Sequence, residues 1–328
     1  MQFLDLFAGI GGFRLGMEAA GHQCIGFCEI DKFARASYKA IHDTGGEIEL
    51  HDIKTVSDEF IQSIGHVDVI CGGFPCQAFS IAGNRRGFED TRGTLFFEIA
   101  RFASIVKPRI LFLENVKGLL NHDKGRTFET ILQTLDELGY DVEWQVLNSK
   151  DFGVPQNRER VFIIGHFRGE SGRKVFPIGG NTKQTDWVQE KEITTNTLTT
   201  RYEGLGNGSY IIENKPKNVI CIKEATKKGY AEATIGDSVN ISHPNSKTRR
   251  GRVGKQIANT LLTGEEQCVV MNDFRIRKLT PKECWRLQGF PDWAFERAEK
   301  VNSNSQLYKQ AGNSVTVNVI EAIARRLV

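Results

Sequence analysis

In the segment GGFPCQAFS at residues 72–80 a cysteine follows a proline directly, a setting that suits a nucleophilic thiol. The preceding VDVI is a β-branched run that reads as a buried strand. Gly72-Gly73 is expected to end that strand, and Pro75 to stiffen the turn after it. Cys76 then sits at the carboxyl end of a strand, where open α/β sheets place their chemistry. On position alone the alternative, an inert buried cysteine, stands equally. In FLENV (112–116), Glu114 closes another strand between Leu113 and Val116. Partial desolvation there would raise its pKa and let it donate a proton near neutrality, against the plainer reading of a surface glutamate. Arg158 and Arg160 of QNRER (156–160) are two apart in an extended segment. They therefore share a face, where two guanidinium groups suit a carbonyl oxygen and a carboxylate, unless they are simply paired surface charges.

A fourth strand end carries glycines. DLFAGIGGF (5–13) reads as the turn between a first strand and a first helix, where a backbone free of side chains can approach a ligand. A dinucleotide fingerprint needs G-x-G-x-x-G. Gly9 and Gly11 fit it but Arg14 stands at the third position, so the pyrophosphate reading fails. Glu29 closes the second strand, where a carboxylate accepts from ribose hydroxyls. Turn and acid together favour an adenosine-type cofactor over a purely structural turn.

Elements that position these groups follow from periodicity. Strands are expected at 2–7, 23–30, 66–71, 109–115, 140–148 and 160–167, and helices at 11–21, 31–42 and 127–140. Such alternation predicts an α/β fold with a mostly parallel, doubly wound sheet. Residues 179–270 are rich in Gly, Asn, Thr, Ser and Lys with only short apolar runs, and read as a smaller irregular domain of strands and loops. The last residues, 309–328, end in an amphipathic helix expected to pack back on the first sheet.

Composition excludes several classes. With 328 residues, 40% hydrophobic and 25% charged, the chain has the make-up of a soluble globular protein with room for a large domain and a smaller one. No apolar stretch approaches bilayer length, and the start lacks the basic segment of an export signal, so no membrane role is expected. The cysteines at 24, 28, 71, 76, 221, 268 and 284 form no C-x-x-C pair and no zinc spacing. Reduced thiols, no metal and a cytoplasmic location fit best. A net charge of +3 proves no polyanionic partner, but KTRRGRVGK (247–255) concentrates Lys247, Arg249, Arg250, Arg252 and Lys255 without an acid. That run is either a solvated loop or a phosphate-tracking one.

Taken in order, these motifs resemble those of the DNA cytosine-5 methyltransferases of bacterial restriction-modification systems and phages. DLFAGIGGF is similar to the family's first motif, GGFPCQAFS to its nucleophile motif, ENV to its glutamate motif and QNRER to its arginine motif. RKLTPKECWRLQGFPD (277–292) resembles the motif joining the two domains, and QAGNSVTVNVI (310–320) the last one, which returns to the cofactor pocket. Two departures stand out. HDI at 51–53 replaces the commoner G-D-I, and Ile30 stands where some relatives carry a larger ring on adenine.

The resemblance implies the Rossmann-like sheet of S-adenosylmethionine-dependent methyltransferases, S-adenosylmethionine as cofactor, and a cytosine flipped out of duplex DNA as substrate. It implies that Cys76 attacks C6, Glu114 donates to N3, Arg160 reaches O2 and Arg158 orients Glu114. The cofactor pocket would draw on Phe7, Gly9, Gly11, Glu29, Ile30, Asp52, Pro75, Asn313 and Val315. Residues 77–93 would close over DNA, with Arg85, Arg86 and Arg92 at phosphates. Residues 1–178 with 303–328 would form the catalytic domain, 179–275 the target-recognition domain and 276–302 the connection. TNTLTT (195–200) and ANTLLT (258–263) are both candidates for the family's threonine-leucine element. The expected protein is a monomer associated with the nucleoid through DNA, compatible with a cognate restriction endonuclease that reads the same site without touching it. Alternatives are an RNA cytosine methyltransferase on the same catalytic domain, a regulator that has lost catalysis, and a nicotinamide oxidoreductase. The recognition-sized insert argues against the first, intact Cys76, Glu114 and Arg160 against the second, and the failed glycine fingerprint against the third.

Overall fold

The computed structural model of the protein describes residues 1–75, 95–169, 174–179, 219–243, 246–264 and 266–327. Cys76, Arg85, Arg86, Arg92 and the TNTLTT segment lie outside them. The first part runs β1 (Gln2–Leu6), α1 (Gly12–Ala19), β2 (Gln23–Cys28), α2 (Lys32–Ile41), β3 (Ile48–Leu50), α3 (Asp58–Ser63) and β4 (Val69–Gly73). It continues with α4 (Leu95–Val106), β5 (Ile110–Val116), α5 (Arg126–Glu137), β6 (Tyr140–Asn148), β7 (Gln156–Asn157) and β8 (Glu159–Phe167). A seven-stranded sheet has the order β3-β2-β1-β4-β5-β8-β6. Strands β1 to β5 pair in parallel, whereas β8 runs antiparallel to both of its neighbours. From β1 the chain winds to β2 and β3 on one side and then returns to β4 on the other. That reversal opens a crevice at the carboxyl ends of β1 and β4.

Both faces of the sheet are buried, and the pleat sorts the strand residues between them. Val69, Cys71 and Phe112 pack in one core with Phe13 and Met17 of α1. Ile70, Leu111 and Leu113 pack in the other with Ile61, Phe102, Ile131 and Leu135 of α3 to α5. One strand differs from expectation. Gly72 and Gly73 extend β4 instead of ending it, pairing with Leu6 and Leu113 and with Glu114. A methyl group on Gly72 would sit 2.2 Å from the Leu6 carbonyl oxygen, so glycine is what lets β4 run on beside β1.

The second part has strands without helices among described residues 219–270: β9 (Ile220–Lys223), β10 (Tyr230–Ala233), β11 (Ser238–Asn240), β12 (Val253–Gly254), β13 (Ala258–Asn259) and β14 (Gln267–Val270). With β15 (Ile276–Lys278) they form a β9–β10 hairpin and a sheet of order β12-β11-β14-β15. These share a core of their own around Ile222, Val239, Cys268 and Val270. Strand β13 instead pairs in parallel with β7 of the first part. The chain then enters α6 (Pro281–Leu287) through a capping box of Thr280 and Glu283 with Pro281 in the first turn. Helices α7 (Asp292–Ala298), α8 (Asn304–Asn313) and α9 (Val317–Ala324) follow. As expected, the terminal helix returns to the first sheet, with Val319, Ile320 and Ile323 against α1.

Candidate active site

The crevice at the sheet's switch point is a cleft of about 580 Å³, a volume suited to a small ligand. Phe7, Gly9, Glu29, Ile30, Asp52, Pro75, Asn313 and Val315 line it, together with Glu114, Arg158 and Arg160. The Glu29 carboxylate accepts from the amides of Gly9 at 2.8 Å and Asp31 at 2.7 Å. Burial nonetheless raises its pKa, against the pull of those two amides. Asp52 caps the short turn Ile53–Thr55 by accepting from the Lys54 amide. Ile30 is 67% exposed, an apolar face beside these carboxylates.

Gly11 lies between the cleft-lining Ile10 and Gly12 and stands at the N-cap of α1 with φ of +84°. A methyl group there would lie 2.1 Å from His42 Nε2. His42 is buried and kept neutral, its pKa pushed down to about 3 by burial and by Arg14. Gly11→Ala combines left-handed strain with overpacking, about 3 kcal/mol together. A thermal melt is expected to show Tm lowered by about 5 °C or more; an unchanged Tm would restore the ligand-approach reading.

At the other end of the cleft, Glu114 is 7% exposed and accepts from Arg160 Nε at 2.9 Å. Burial raises its pKa, while the charges of Arg160 and Arg158 oppose the rise. Its strand partner is Gly73, on which a methyl group would sit 3.0 Å from Glu114 Oε2. Asn115 was not singled out from the sequence. Its side-chain amide donates to the Phe74 carbonyl at 2.8 Å and so ties the residues before Cys76 to the strand that carries Glu114. The only signal was its adjacency to Glu114, which does not tell a structural amide from a catalytic one.

The family described as C-5 cytosine-specific DNA methylase matches residues 1–328. The chain belongs to that family. It is 37% identical to the type II methyltransferase M.HhaI of Haemophilus parahaemolyticus, over 99% of this chain and 93% of that one. It is 40% identical to M.NlaX of Neisseria lactamica, over 99% and 96%. In fold it is similar to a putative DNA modification methyltransferase of an E. coli prophage, with a TM-score of 0.63 at 21% identity and coverage of 100% and 98%. Dnmt2 of S. pombe gives 0.62 at 20%, with the same coverage. The protein is thus a DNA cytosine-5 methyltransferase, and membership implies S-adenosylmethionine as methyl donor.

Within this methylase Arg158 has a different task from the expected one. The ion pair on Glu114 comes from Arg160, while Arg158 is 3% exposed and donates to the carbonyls of Leu261 at 3.3 Å, Gly312 at 3.1 Å and Ser314 at 2.7 Å. Burial, then the neighbouring Arg160 charge, lower its pKa to about 9. The same junction holds Gln156, which accepts from the Leu261 amide and donates to the Leu287 carbonyl. Thr260 Oγ1 donates to the Asn157 carbonyl at 2.7 Å. ANTLLT is thereby docked on the arginine motif at the cleft.

The basic run of the methylase divides. Arg252 is 2% exposed and donates to the carbonyls of Asn240, Ser242 and His243, so it holds its own loop instead of facing phosphate. Lys247 and Arg250 are exposed, the latter donating to the Ala225 carbonyl. Arg249 bonds Asn240 Oδ1, and Lys255 pairs with Asp237 at 2.7 Å. Among the described residues no group of three His, Cys, Asp or Glu is placed to hold a metal, and no helix is long and apolar enough to cross a membrane.

Proposed function

We propose that this methylase acts on a cytosine flipped out of a short specific duplex DNA sequence, with Cys76 bonding C6 during the reaction. The observation that carries this is the buried Glu114 carboxyl. It lies paired with Arg160 in the cleft, one strand from the Gly73-Phe74-Pro75 segment that leads into Cys76. Thiolate attack at C6 moves the ring's electrons toward N3 and O2. A proton held at Glu114 meets N3, the Arg160 guanidinium stabilises O2, and C5 becomes the nucleophile. Loss of the C5 proton and departure of the Cys76 thiolate then restore the aromatic ring.

The cleft fits S-adenosylmethionine. Glu29 suits ribose hydroxyls, Asp52 an adenine amino group, the exposed face of Ile30 the adenine ring, and Asn313 and Val315 close the opposite wall. When bound, this cofactor supplies the methyl group. Target bases would be read by residues 179–275, with 276–302 as the connection to the catalytic part, and phosphates met by Lys247, Arg249, Arg250 and Lys255 together with Arg85, Arg86 and Arg92. A monomer in the cytoplasm, working beside an endonuclease of the same site, is the setting that this reading favours.

Base-resolution mapping of 5-methylcytosine in a methylation-free bacterial host that expresses the chain tests the proposal. The expected result is methylation of one short motif. A soluble, cofactor-binding protein that leaves host DNA unmethylated would overturn it and turn attention to the host's RNA.

A further inference from the structure

Glu29, Ile30 and Asp31 form the corner between β2 and α2 and make one wall of the cleft, while Lys309, Gln310 and residues 312 to 315 near the opposite end of the chain make another. At the lip the two walls are joined by Lys309 Nζ and Asp31 Oδ2, 2.7 Å apart. This pair is the outer member of a built seam. Beneath it Gln310 Nε2 donates to the Phe33 carbonyl at 3.2 Å, and Gln310 Oε1 accepts from Ser37 Oγ at 3.0 Å. Asn302 donates to the same carbonyl and the same hydroxyl. Gln310 and Ser37 are buried, whereas the Lys309 and Asp31 side chains keep 44% and 28% of their exposure. From the near side, Arg35 donates to the carbonyls of Glu29 and Ile30, and the Asp31 amide donates to Glu29 Oε1. The corner that carries the ribose acceptor and the apolar Ile30 face is therefore framed from both ends of the chain.

We propose that the Lys309–Asp31 pair is a tie-bar across the lip of the cleft, making both side chains positioning residues for the methyl donor. The inference rests on the cofactor assignment above. A wall already fixed at its working distance does not have to be ordered when the ligand enters, so binding keeps more of the interaction energy. The Lys309–Asp31 pair and the Arg160–Glu114 pair are separate ion pairs, so the tie-bar sets cofactor affinity and leaves chemistry at saturation alone.

The test is direct calorimetric titration with S-adenosylhomocysteine, alongside KM and kcat for S-adenosylmethionine. Asn is as good a helix cap as Asp, so Asp31→Asn removes the charge while keeping the cap that Asp31 gives α2. Lys309→Met keeps the aliphatic stem. Each variant is expected to weaken binding and raise KM about five- to tenfold with kcat within twofold of the parent, and the double variant to be no worse than either single one. Singles within twofold of the parent in binding, or a double equal to the product of the two, would overturn the tie-bar. A parent protein that binds neither ligand would overturn the cofactor assignment itself, a result distinct from failure of the pair.

Discussion

Cys76→Ser is expected to lose at least about four orders of magnitude in methyl transfer, because a serine hydroxyl at neutral pH supplies almost none of the anion that attack at C6 requires. Duplex DNA and cofactor affinities are expected to stay within a few-fold, since the exchanged atom contributes to bond formation and little to either surface. A second readout separates loss of the nucleophile from loss of the fold. Cys24, Cys28, Cys71, Cys221, Cys268 and Cys284 are all buried. Burial pushes Cys24, Cys28 and Cys284 up to about 12 and Cys268 to about 11. Thiols so placed are inert toward iodoacetamide in the native protein. Mass spectrometry should find one modified cysteine in the parent, at Cys76, and none in the variant. A serine variant with more than a hundredth of the parent rate, or a parent alkylated elsewhere while Cys76 stays free, would sink the covalent role.

Strand ends made much of the site legible in the sequence. Cys76, Glu114 and the Arg158–Arg160 pair each stood where an apolar strand meets polar residues, and the described members of the set do converge on one cleft. What stayed hidden was direction at short range. Arg158 and Arg160 are two residues apart, yet Arg160 meets Glu114 while Arg158 is taken by three carbonyls, two of them at the C-terminal end of α8. Nothing local announces those acceptors, since they come from residues more than a hundred positions away. Arg252 was lost in the same way. In a basic run every side chain reads as exposed, and only the fold shows that three carbonyls of residues 240–243 surround one of them. In the sequence Gly11 reads equally well as a point of ligand approach and as a structural glycine, since either use needs a backbone without a side chain, and its φ of +84° is a local feature of the entry to α1. His42, distant in sequence, decides between them.

Glu114 is the second large effect. Glu114→Ala is expected to lower the rate about 10³-fold and Glu114→Gln about 10²-fold, the range for removing a group that meets charge developing in a transition state. The two differ for a geometric reason. A glutamine oxygen can still accept from Arg160 Nε, as Glu114 Oε1 does at 2.9 Å, and its amide then presents an N–H where the neutral acid presents its O–H. It donates a hydrogen bond but cannot release a proton. The pH profile follows from the same burial. The folded pKa of Glu114 lies above the ordinary 4.5, chiefly through desolvation. Activity that needs the protonated form therefore falls as pH rises through that raised value, a limb the Gln variant lacks. Stability carries the same sign. The folded state binds the proton more tightly than the unfolded chain, so this contribution is fully present below 4.5 and is lost as pH rises through the folded value. Above that window the parent holds a buried charge that glutamine does not, so Glu114→Gln should melt higher than the parent at pH 8, and the gap should narrow as pH is lowered. A Gln variant within threefold of the parent rate, with the parent's descending limb intact, would show that the proton on N3 comes from elsewhere.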